Sequence, residues 1–178
     1  MPVIAVWTPA DALLDIAIPL GLVAAVRSGL VVDLDPAGPN VGSGPTLAEL
    51  VSEEPTAAQL APVDGAAAYL SNGGVEPDAA WPVVAALVER WPATVLRCAP
   101  RGPRPDAAIA VLPLLPAPFT LRAEGRCVYQ RTAVSPREAP AGPVLPRPRP
   151  ETISSLLAGR RPATDRWLRS LRSLWEHA

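Results

Sequence analysis

Apolar residues fall in short unbroken runs of strand length, and these alternate with stretches of helical period. Val3–Trp7 is such a run, as expected for a strand covered on both faces. Thr8-Pro9-Ala10-Asp11 then offers an N-cap, a first-turn proline and an acid for a helix predicted from Pro9 to Arg27. That helix should kink at Pro19 and stop at Ser28-Gly29. Leu30–Leu34 is a second buried strand, and Asp35-Pro36-Ala37-Gly38-Pro39-Asn40 a loop. Thr46 is placed to cap a short helix over Leu47–Val51, with another over Thr56–Leu60 and a solvated loop at Glu53 and Glu54. A strand over Ala66–Leu70 ends at the turn Ser71-Asn72-Gly73-Gly74. The helix from Asp78 to Trp91 puts Trp81, Val84, Leu87, Val88 and Trp91 on one face. Further strands are expected at Thr94–Cys98, Ala107–Leu112 and Gly125–Thr132. This alternation predicts an α/β fold: an open, mostly parallel sheet with helices on both faces.

The pattern changes after residue 134. Six prolines among residues 135–150, with no hydrophobic period, read as a semi-extended linker. A short helix near Glu151–Ala158 and a final helix from about Ala163 follow. The expected organisation is therefore an α/β domain over 1–134, a linker over 135–150 and a helical tail over 151–178. In the last helix Trp167, Leu168, Leu171, Leu174 and Trp175 recur at helical spacing, with Arg166, Arg169 and Arg172 between them. Such a basic amphipathic helix has three possible seats: the acidic part of its own domain, a protein partner or second copy, or an anionic membrane surface. Its eight named residues are the candidate contact residues for the latter two. Few aromatics and no reading motif argue against nucleic acid.

Composition sharpens this picture. The 178 residues are 49% hydrophobic but only 4% aromatic, so the core must be built from Ala, Val and Leu. All 16 basic residues are arginine, which with the Ala and Pro excess reads as the codon usage of a high-GC bacterium. The net charge of −1 conceals a segregation: residues 1–96 hold eleven acids against Arg27 and Arg90, while residues 97–178 hold fourteen arginines against six acids. Either the halves face each other or the basic half meets an anionic partner. Cys98 and Cys127 are too few for a zinc site or disulfide framework and read as free thiols. The only histidine, His177, leaves no His-based triad or metal cluster. No leader is expected, because nothing positive precedes the first apolar stretch, and no membrane span, because Ala12–Val26 is short and interrupted, so a cytoplasmic location is expected.

A strand, a helix and a second strand ending Val32-Asp33-Leu34-Asp35-Pro36-Ala37-Gly38, followed by Thr46-Leu47-Ala48-Glu49-Leu50, resembles the ParA/MinD family of P-loop ATPases over roughly residues 2–118. The relatives that position pilus or septum machinery (TadZ/CpaE-like) are closest in kind. The resemblance implies a truncated P-loop NTPase-like fold with a site at the ends of the first, second and fourth strands. Several of the family's parts are absent. Its glycine-rich phosphate loop corresponds to Trp7-Thr8-Pro9-Ala10-Asp11-Ala12, which has no glycine, no lysine and an acid near where the phosphate-binding lysine would fall. Arg97 replaces the aspartate of the second metal-site strand, and Ala37 the glutamine of the Asp-Pro-Gln pattern. Asp11, Asp33, Asp35 and Arg97 thus mark a vestigial site, with no cofactor, metal or catalytic residue expected. The resemblance implies a pseudo-ATPase serving as an adaptor, scaffold or localisation factor. The alternatives are a nucleotide-binding regulator using Asp33 and the Gly73-Gly74 turn, and a peripheral membrane protein held by its last helix.

Overall fold

The computed structural model describes residues 2–9, 12–26, 28–41, 44–53, 55–62 and 67–176. Asp11, Glu54 and His177 lie outside the described residues. Seven strands form one sheet: β1 (Val3–Trp7), β2 (Gly29–Asp33), β3 (Ala67–Leu70), β4 (Thr94–Arg97), β5 (Ile109–Leu114), β6 (Cys127–Arg131) and β7 (Val144–Leu145). Their order is β3-β2-β4-β1-β5-β6-β7, and every pairing is parallel. With the five helices among the described residues, α1 (Ala12–Ala24), α2 (Leu47–Glu53), α3 (Pro77–Arg90), α4 (Pro150–Leu157) and α5 (Arg166–Trp175), this is an open α/β sheet consistent with a P-loop NTPase-like fold.

Alternating side chains of the central strands feed two separate cores. Val31, Val95, Ile4 and Val6 face α1, α4 and α5; Leu30, Val32, Leu96 and Ala5 face α2 and α3. The helix at Thr46 begins with a capping box: the Thr46 N–H donates to Glu49 Oε2 at 2.7 Å and the Glu49 N–H to Thr46 Oγ1 at 3.2 Å. Thr56–Leu60, expected as a helix, is only a turn, since Thr56 and Gln59 bond reciprocally and Pro62 blocks continuation. Thr8 is not the N-cap: its side chain is buried and the helix starts at Ala12.

The largest departure concerns the linker and tail. Within the proline-rich stretch Val144 and Leu145 pair with Tyr129 and Gln130 as the edge strand β7. The cause is α1, whose sequence ALLDIAIPLGLVA has no polar face and must be covered on both sides. The sheet covers one side, and α4 and α5 cover the other. Trp167, Leu168, Leu171 and Leu174 are buried in that core, whereas Arg166, Arg169 and Arg172 are exposed. The apolar residues expected to contact a partner or membrane are therefore seated on their own domain.

Polar contacts fix this seat. Gln130, fully buried on β6, donates to the carbonyls of Arg131 and Pro146 at 2.9 and 2.8 Å and accepts the Trp167 indole N–H at 2.8 Å. Asp165 caps α5 through the Leu168 N–H at 2.9 Å and accepts the Thr152 hydroxyl of α4 at 2.7 Å. The Trp175 indole donates to the Leu22 carbonyl at 3.1 Å, in the last turn of α1 where carbonyls lack helical partners. Gly21 lets the helices meet, because a Cβ there would lie 2.5 Å from the Trp167 ring and 2.6 Å from Leu171 Cδ1.

Two outcomes follow for urea unfolding. Gly→Ala in a helix ordinarily stabilises by about 1 kcal/mol, but Gly21→Ala should destabilise by about 1–3 kcal/mol through overpacking. Trp167→Ala should cost about 3–5 kcal/mol, and a midpoint equal to wild type for both variants would mean that α5 is not seated on α1.

Candidate functional site

The sheet register brings the site together. Asp33 ends β2 directly beside Arg97, the last residue of β4, and Arg97 lies opposite Val6 of β1. Asp33 and Arg97 share strand parity with Val31 and Val95, so both side chains enter the α1 side of the sheet. Asp15, one turn into α1, and Asp35, just past β2, complete the group. Arg97 Nη1 donates to Asp33 Oδ1 at 2.6 Å, and Nη2 reaches Asp35 Oδ2 at 3.3 Å and bonds to Asp15 Oδ2. These are the only side-chain ion pairs among the described residues.

Asp33 has no exposed surface and accepts two further donors, the Asp35 N–H at 2.9 Å and the Tyr69 hydroxyl at 3.0 Å. Asp35 Oδ1 in turn accepts the Ala37 N–H at 3.1 Å, so both aspartates also tie down the loop after β2. Gly38 closes that loop over the cluster: a Cβ there would run into Asp33 Oδ2 and Arg97 Nη1. Burial pushes the Asp33 carboxyl upward, against the opposing charge of Arg97. Burial would lower the Arg97 pKa, but its bond to Asp15 and the Asp33 and Asp15 charges outweigh this, and the net shift is upward. Tyr69 is raised by burial and then by the Asp33 charge, which keeps it a donor.

Of the expected site residues, Asp33, Asp35 and Arg97 are thus assembled, while Asp11 lies outside the described residues. Asp15 and Tyr69 were missed. Asp15 is the sole polar residue of an otherwise apolar helix, a signal that could have found it; Tyr69 carries no such mark. Among the described residues no group of three or more His, Cys, Asp or Glu side chains is arranged to hold a metal ion. The three aspartates converge on a guanidinium instead.

Little space remains beside them. Between the end of β1 and α1, a void of about 10 Å³ is lined by Trp7, Thr8, Asp15 and Pro19 among others, room for about one water at most. The Gly73-Gly74 turn is also occupied internally. Asn72 Oδ1 accepts the N–H groups of Gly74 and Val75 at 2.8 and 2.7 Å, leaving those amides committed. Gly73, at φ 75°, packs 2.6 Å (as a would-be Cβ) from Thr46 Oγ1. A larger cleft of about 430 Å³ opens on Tyr69, between α1 and the α4–α5 connection at Arg160 and Arg161. Arg104 stacks over the Trp7 ring, 3.6 Å from its centroid, at the end of β1.

A comparison of the chain with family models gives no match, and one with curated proteins gives no significant match. The likeness to ParA/MinD ATPases therefore rests on the sequence features above and on a fold of compatible class.

Two outcomes test the site. Arg97→Met should destabilise the protein by about 3–5 kcal/mol, because buried carboxylates lose their cation. Arg97→Lys should restore only part of this, since an ammonium lacks the fork that spans several carboxylates. An Arg97→Met protein with an unchanged denaturation midpoint would overturn the buried-cluster reading. The adjacent Cys98 side chain is buried on the opposite core, and burial pushes its thiol from 9.0 up to about 11. A raised folded-state pKa contributes stability that is complete below pH 9 and lost as pH climbs through 11. The thermal midpoint should accordingly fall over that window and fall less in Cys98→Ala. In native protein at pH 8, iodoacetamide should modify the half-buried Cys127 and spare Cys98.

Proposed function

We propose that this chain is a non-catalytic, P-loop-like pseudo-ATPase that acts as an adaptor, scaffold or localisation factor. Its setting would be a bacterial partition, septum, pilus or secretion system. The observation that carries the reading is Arg97: a guanidinium attached to the fold, held by Asp33, Asp15 and Asp35 at the strand ends. Open parallel sheets bind ligands in that region. A cation built into the chain cannot leave, and it repels Mg²⁺ from the carboxylates that would otherwise attract it. The small void beside Asp15 and the missing glycines and lysine support the same reading. The regulator alternative is disfavoured by the burial of Asp33 and by the committed amides of Gly74 and Val75.

Isothermal titration of the full chain with ATP and Mg²⁺ checks this. No saturable heat is expected at ligand concentrations up to about 1 mM, weaker than about −4 kcal/mol of binding. Micromolar binding, or ATP hydrolysis above background, would refute it.

A further inference from the structure

The sheet divides the molecule into two faces of opposite charge. On one side α2, α3 and the α3 N-cap residue expose Glu49, Glu53, Glu76, Asp78 and Glu89, with Arg90 the single basic residue of these two helices and Arg104 beside them over Trp7. On the other, the α4–α5 connection and α5 expose Arg160, Arg161, Arg166, Arg169 and Arg172, opposed by Glu151 and Glu176 of the same segment. None of the named arginines or face carboxylates forms an ion pair among the described residues, where the ion pairs are those of Arg97.

The faces cannot neutralise each other within one molecule. Helix layers lie about 10 Å to either side of a sheet, so roughly 20 Å separates them, more than twice the Debye length of about 8 Å at physiological salt. Water and counterions screen each face in the free chain, so a macromolecular complement can come only from another molecule. The chain itself carries the matching face and is always present at equal concentration.

We propose that the protein self-associates head to tail, the arginine face of α5 on one copy seating against the α2–α3 carboxylate face of the next. The contact is heterologous: a pair of copies still has one arginine face and one carboxylate face free, so assembly continues into a ring or an open filament. Electrostatic complementarity sets the pairing and makes it salt-dependent. The helix presents only its arginines, since Trp167, Leu168, Leu171 and Leu174 are committed to the core. This inference stands apart from the pseudo-ATPase reading, because a nucleotide-binding chain could stack in the same way.

Sedimentation velocity of the full chain tests it, with two variants whose changes all lie on exposed residues. One neutralises the basic face (Arg166→Gln, Arg169→Gln, Arg172→Gln), the other the acidic face (Glu53→Gln, Asp78→Asn, Glu89→Gln). Circular dichroism establishes that each remains folded. Wild type should form species larger than dimers at about 50 mM NaCl and return to monomer near 500 mM. Each variant alone should associate at least tenfold more weakly. Mixed one to one, they should form a finite heterodimer through the one intact face on each. A wild type monomeric at both salts overturns the proposal, as does association that survives in either variant or that mixing fails to restore. A chain that stays monomeric but co-sediments with phosphatidylserine vesicles through the same arginines also overturns it, in favour of a membrane.

Discussion

The fold depends on a helix that has no polar side. Between Ala12 and Ala24 only Asp15 is polar, so α1 cannot lie on a sheet with its back to water, as most helices of open α/β sheets do. Its outer side has to be covered, and α4 and α5 supply the cover. The positions of β7, the Pro146 carbonyl, Gln130 and Asp165 all follow from bringing that cover into place. The chain after residue 134 is thereby a structural part of the α/β unit. Gly21 is the point of closest approach, where the Trp167 ring occupies the space a side chain would take.

The same helix contributes its one polar residue to the ion cluster. Asp15 reaches Arg97 from α1, while Asp33 and Asp35 reach it from the end of β2. A guanidinium can serve three carboxylates because its donors fan out in one plane, which a compact ammonium cannot do. Burying such a group carries a desolvation cost that only full hydrogen bonding offsets. Tyr69 and the Asp35 amide help to meet that requirement around Asp33, whereas Arg97 Nε has no hydrogen-bond partner among the described residues. A metal ion in such a place could exchange and so couple to a ligand; a side chain cannot. The cluster joins β2, β4 and α1 through covalently attached groups.

Charge segregation along the chain becomes charge separation in space. Opposite charges pair at Arg97, while the exposed carboxylates of α2 and α3 and the exposed arginines of α5 lie on opposite sides of the sheet. Arrangement in layers explains why a nearly neutral protein can present two strongly charged surfaces. It also explains why the docked α5 remains basic outwardly: its apolar residues face α1, and its arginines are what is left to the solvent.

The sequence by itself determined the elements, because strand runs and helical periods are local properties of residues 3–7, 29–33, 94–97 and 77–90. The resemblance to the ParA/MinD pattern marked Asp33, Asp35 and Arg97 as belonging to one place. A mostly parallel sheet was legible from the alternation of strands and helices, and Thr46 as a helix cap from its place before an apolar run. That every pairing is parallel, and that Glu49 completes a capping box, came from the structure. Gln130 and Tyr69 were not, because a single polar residue in a strand acquires meaning only from what stands opposite it 37 or 36 residues away. The proline-rich stretch was misleading as well: low hydrophobic period hid a two-residue edge strand whose partner lies on β6. The seat of the last helix is the clearest case. Its amphipathic pattern specifies that an apolar face must be buried, but burial against α1, a partner or a lipid surface satisfies the pattern equally. Only the tertiary structure, with an uncovered apolar α1 beside it, decided which.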